Sequence, residues 1–165
     1  MRRQTGFSLI ELLIVVAVIL IIAAIAIPSL LRARIAANES SAAASERTIA
    51  TAEVTYKLAY PTIGYADLAS LGGPVNCIAS SASACIIDSL LSAGSKSGYN
   101  FAATASSSGG LDMDQYLTTA VPQTLNVTGV KAFCEIEDHV IMFITPSAGP
   151  ANRAACDNGT YQVAQ

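Results

Sequence analysis

The sequence predicts an α+β fold: a long N-terminal helix, apolar in its first half and amphipathic in its second, packed on a small antiparallel β-sheet head. Three observations carry this reading. Between Phe7 and Tyr60 there is no glycine and one proline, Pro28, while alanine, leucine, glutamate and arginine fill most of the stretch. That composition favours helix. From Phe7 to Ile27 only Ser8 and Glu11 interrupt an apolar run. Beyond Gly98 the pattern changes to short alternating segments rich in aromatic and β-branched residues, bounded by turn residues.

The elements follow in order. Met1 to Gly6 is a polar, basic leader containing Arg2 and Arg3. The run from Phe7 to Ile27 has about 21 residues, roughly 31 Å as a helix, enough to cross the hydrocarbon of a bilayer. The two arginines would keep the leader on the cytoplasmic side. A secretory signal places its small-residue cleavage site after the apolar region; here the small residue, Gly6, precedes it. Glu11 is the one charge inside the run. A lone carboxylate at that depth costs roughly 2.5–3.5 kcal/mol, so it asks for a partner or a function. Locally, Ser8 and Glu11 match the S-x-x-E capping box.

Pro28 removes an intrahelical hydrogen bond, and a bend is expected there. In the second half of the helix Ile35, Ala42, Ile49 and Tyr56 recur every seven residues, and Glu39, Glu46 and Glu53 recur at the same interval. The spacing predicts an apolar stripe against a partner surface and a charged stripe on a different face. Residues 61–73 break the helix. Short helical turns are expected at Leu68, Leu71 and Asp88–Leu91. Strands are expected at Tyr99–Thr104, Gln115–Val121, Val130–Ile136 and Val140–Ile144, with Glu137-Asp138 turning between the last two. Ser106 to Gly110 reads as a flexible loop, and Pro146 to Gly159 as a long one. The chain therefore divides into a leader (1–6), a membrane or core helix (7–27), the amphipathic half (28–60) and a globular head (61–165).

From Pro61 onward eight acids face three cations, Lys96, Lys131 and Arg153, a net charge of about −5. An acidic head repels phosphate, so nucleic-acid binding has no electrostatic basis. The four cysteines, Cys77, Cys85, Cys134 and Cys156, all lie in this half. Pairing Cys77 with Cys85 and Cys134 with Cys156 closes two local loops and suits an oxidising compartment. No CxxC spacing exists and His139 is the only histidine, which argues against a metal site. Asp112-Met113-Asp114 reads as a solvated acidic turn, and His139 as a solvated residue of the 137–138 turn. No nucleophile–base constellation stands out, so no catalytic residue, cofactor or enzyme activity is implied. Asn38, Asn126 and Asn158 each open the short N-glycosylation pattern, which is frequent by chance.

Gly6-Phe7 followed by Ser8-Leu9-Ile10-Glu11-Leu12 resembles the N-terminal signature of type IV pilins and type II secretion pseudopilins. The resemblance is specific over about residues 1–35 and is one of layout beyond. It implies prepilin peptidase cleavage between Gly6 and Phe7 and N-methylation of Phe7. It also implies a role for Glu11 in assembly and a helix bend at Pro28. The function implied is a structural subunit of a helical homo-oligomeric filament, held in the inner membrane and then added to an extracellular pilus by assembly machinery. The alternatives are a pseudopilin of type II secretion or a membrane-anchored binding domain that does not polymerise.

Overall fold

A computed structural model describes residues 7–74, 76–110, 112–145, 149–150, 152–157 and 161–164. The chain forms two compact units, Met1–Arg34 and Ile35–Gln165. Helix α1 spans Leu9–Ala59, with Pro28 inside it. Its residues up to Arg34 belong to the first unit, and the rest belongs to the head.

In the first unit the helix starts with backbone bonds alone. The Glu11 and Leu12 N–H groups donate to the Ser8 carbonyl at 3.1 and 3.2 Å. The side-chain exchange of a capping box is not among the bonds of the described residues. Apolar side chains from Phe7 to Leu31 are exposed. Pro28 has no N–H to give to the carbonyl four residues earlier, so the helix runs on across a missing bond.

In the second unit α1 buries Ala42, Ser45, Glu46, Ile49, Ala50, Ala52, Glu53 and Tyr56. Two short helices follow, α2 (Leu68–Leu71) and α3 (Ser89–Ser92). The Asp88 carboxylate starts α3 by accepting the Leu90 and Leu91 N–H groups at 3.1 and 3.0 Å. These are the first-turn donors that a helix leaves unpaired.

The sheet has six antiparallel strands in sequence order: β1 (Ser95–Lys96), β2 (Tyr99–Ser106), β3 (Gln115–Pro122), β4 (Ala132–Ile136), β5 (Met142–Ile144) and β6 (Gln162–Val163). Ser97 and Gly98 join β1 to β2 with φ of 51° and 75°. Positive φ at both central residues suits a tight hairpin turn. Helix α4 (Arg153–Asp157) lies within the expected 146–159 loop.

Strand alternation gives the sheet two faces, one packed on α1 and the other exposed along β2 but covered at β4. Tyr99, Phe101, Ala103, Ala120 and Phe133 join the helix residues in one core cluster. Cys134, Ile136, Cys156 and Tyr161 form a second cluster, with Leu117, Met142 and Ile144 packed against it. Strand β4 is buried at every position because it is covered on both sides.

Two strands begin later than the sequence suggests. The Val130 and Lys131 N–H groups donate to Glu39 Oε1 at 2.9 and 3.2 Å, which removes them from the ladder and starts β4 at Ala132. The Val140 N–H donates to Asp138 Oδ1 at 3.0 Å, and β5 starts at Met142. Ser107 and Ser108, in the expected 106–110 loop, are tied rather than free. Ser108 N–H donates to Asp114 Oδ1 at 2.7 Å, and Ser107 Oγ donates to the Gly110 carbonyl at 2.8 Å.

Candidate functional site

The first candidate region is the start of α1. Gly6 lies outside the described residues. Phe7 is 80% exposed, and the apolar side chains that follow it are largely uncovered. Glu11 is exposed and makes no ion pair or side-chain hydrogen bond among the described residues. By length and composition this helix can cross a membrane. Its surface demands an apolar environment, and its one carboxylate demands a partner there.

The second region is the face of α1 against the sheet. The expectation that Glu39, Glu46 and Glu53 lie on a face apart from the apolar stripe is overturned. Glu46 and Glu53 are fully buried, beside Ala42, Ile49 and Tyr56. The reason is helical arithmetic. A residue four positions on is rotated only about 40° at 3.6 residues per turn, so Glu46 stands next to Ala42, and Glu53 next to Ile49. Each glutamate reaches a polar group of the head. Glu39 accepts the Val130 and Lys131 amides, with Lys131 Nζ 3.8 Å from its other oxygen. Glu46 Oε2 contacts the Thr118 hydroxyl. Glu53 Oε2 accepts the Ala66 N–H at 3.0 Å.

Burial sets the acidity of these groups. It pushes the Glu46 carboxyl up to about 8, against the Thr118 hydrogen bond and with help from the Glu135 charge. Burial likewise raises Glu53 to about 7, opposed by the Ala66 N–H. Glu135 on β4 also rises to about 7 through burial and the Asp138 charge, with Arg47 opposing. Glu46, Glu53 and Glu135 each keep one buried oxygen without a hydrogen-bond partner among the described residues.

His139 is not simply solvated. Its Nδ1 lies 3.6 Å from Glu135 Oε1 and 3.3 Å from the Tyr116 hydroxyl, with a backbone φ of 59°. Asp114, in the acidic turn, is held below the ordinary carboxylate range by its Ser108 hydrogen bonds. Cys77 is joined to Cys85 and Cys134 to Cys156. The second bridge fixes α4 to β4, and Arg153 of α4 pairs with Glu137, its Nε donating at 3.1 Å. Among the glycosylation patterns, Asn38 donates to the Thr128 carbonyl at 2.9 Å. Asn126 sits in an exposed turn at φ 62°, and residues 158–160 lie outside the described ones.

An exposed apolar helix with one carboxylate is carried by the same chain as a disulfide-tied α+β head. Residues 1–27 match the family model described as the prokaryotic N-terminal methylation motif. The chain is similar to the type IV wide pilus major component PilA4 of Thermus thermophilus, 60% identical over 40 residues. That stretch covers 24% of this chain and 30% of the relative. No solved structure matches the chain. The two matches support the type IV pilin family, and with it a pilin or pseudopilin subunit.

Proposed function

We propose that the chain is a structural subunit of a type IV pilus. Prepilin peptidase cuts between Gly6 and Phe7, the new amine of Phe7 is methylated, and the subunit waits in the inner membrane until assembly. Apolar helices from many copies then bundle in the filament core, with the heads outside. The observation that carries this reading is Glu11, the sole charge on an exposed apolar helix surface.

Cleavage creates an amine whose ordinary pKa near 8 leaves it mostly protonated at neutral pH. Glu11 of one subunit accepts that charge from a neighbour. Either group buried alone is penalised by several kcal/mol, so the pair sets subunit register. Pro28, by removing one backbone bond, gives the helix a place to bend as it packs.

The pseudopilin reading shares the same 1–27 motif and differs in product, a short periplasmic assembly rather than a long surface filament. Imaging sheared cell-surface material, with N-terminal mass analysis, tests the proposal. Long filaments built of chains beginning at methylated Phe7 support it. Chains that stay with the membrane and retain Arg2 and Arg3 overturn it.

A further inference from the structure

We propose that Glu46 is held in the head as a neutral carboxylic acid and works as a proton-dependent latch between the second half of α1 and the sheet. The geometry carries this. Glu46 is fully buried, and no cation lies within ion-pair distance of it among the described residues. Arg47, next in the chain, is exposed. One Glu46 oxygen meets the Thr118 hydroxyl, and the other has no hydrogen-bond partner among the described residues.

A count of protons favours the neutral acid. Thr118 Oγ1 contacts Glu46 Oε2 and also stands 3.4 Å from the Glu135 carbonyl. A hydroxyl has one proton to give. An ionised Glu46 takes that proton, and the carbonyl loses it. A neutral Glu46 donates from Oε2 to Thr118, and Thr118 donates onward to the carbonyl. The unpartnered Oε1 is then a neutral oxygen rather than half of a buried charge, which is the far cheaper state to leave unsatisfied.

The surroundings act in the same direction. From β4 the Glu135 carboxyl faces Glu46 as a like charge. Around Glu135 stand His139 and Asp138 in the following turn, Tyr116 on β3 and Arg47 on α1. The cation of this group, Arg47, acts on Glu135. The pKa of Glu46, raised by burial to about 8, agrees with the geometry.

The sign of the pH effect follows. In the unfolded chain the carboxyl returns to its ordinary value of 4.5. Between that value and about 8 the folded head binds the proton more tightly. The latch is fully closed below the lower value, and its contribution is lost as pH rises through the upper one. Glu53 and Glu135, raised to about 7, add to the loss over the lower part of the window.

The test uses the full chain in detergent micelles, with ¹³C-labelled glutamate side chains and thermal melting at about pH 6 and pH 9. One carboxyl resonance is expected to titrate near pH 8, to be missing in Glu46→Gln and to move in Thr118→Val. The wild-type head is expected to melt at least ~5 °C lower at the higher pH. In Glu46→Gln, which keeps a neutral donor at the same place, a clear part of that fall disappears. A Glu46 resonance titrating near 4.5 overturns the proposal, as does a Glu46→Gln head that melts lower than wild type at pH 9. Should Glu46→Gln not fold, the wild-type resonance assigned through Thr118→Val decides alone.

Discussion

The two halves of α1 treat their carboxylates in opposite ways. In the first half Glu11 stands exposed in an apolar surface and has no partner among the described residues. In the second half Glu46 and Glu53 are fully buried, and each reaches a polar group of the head. The same residue type in one continuous helix is therefore exposed at one end and turned to its own sheet at the other. The difference lies in what surrounds each glutamate. The head supplies Thr118 and the Ala66 amide to the second half, whereas around Glu11 the first half presents mostly apolar side chains.

The first way to break this contrast is to damage the head alone. Ile49 is fully buried between α1 and the sheet, and Ile49→Ala should lower head stability by about 2–5 kcal/mol. Cleavage at Gly6 depends on the leader and should proceed. Loss of cleavage in a chain that still inserts would show that the two regions are not independent. Replacing both Cys134 and Cys156 by serine should cost ~3 kcal/mol through freedom regained by the C-terminal segment. Differential melting under oxidising and reducing conditions checks it, and an unchanged head would remove the bridge from the account. A smaller effect sharpens the local picture. Asp88→Ala removes the cap of α3 and should cost about 1 kcal/mol, read by chemical denaturation. Its loss should leave pilus assembly unaltered.

The sequence showed much of the fold because strong periodicity is local information. The extent of α1, the four longer strands and the 137–138 turn follow from composition, alternation and turn chemistry. The hidden parts depend on contacts distant in sequence. Strand β4 begins late because Glu39, some ninety residues earlier, takes the amides of Val130 and Lys131. Strands β1 and β6 have two residues each, too few for any period to register. The burial of Glu46 and Glu53 was available in principle, since a four-residue offset from Ala42 and Ile49 places them on the apolar face. Charge suggested solvent, and the polar partners that permit burial, Thr118 and the Ala66 amide, lie on other elements. For the candidate assembly site, Glu11 and the Gly6-Phe7 junction stand out in the sequence against an otherwise apolar run.

The most direct measurement is filament yield against membrane-held mature protein for Glu11→Gln. Glutamine is nearly isosteric, and the helix start relies on backbone bonds to Ser8, so insertion and cleavage should be unaffected. The amide carries no charge to offset a neighbour's amine, and each added subunit would bury an unpaired cation at a cost of several kcal/mol. The account predicts few or no surface filaments, with processed chain beginning at Phe7 accumulating in the membrane. Filaments at wild-type yield from Glu11→Gln would contradict it.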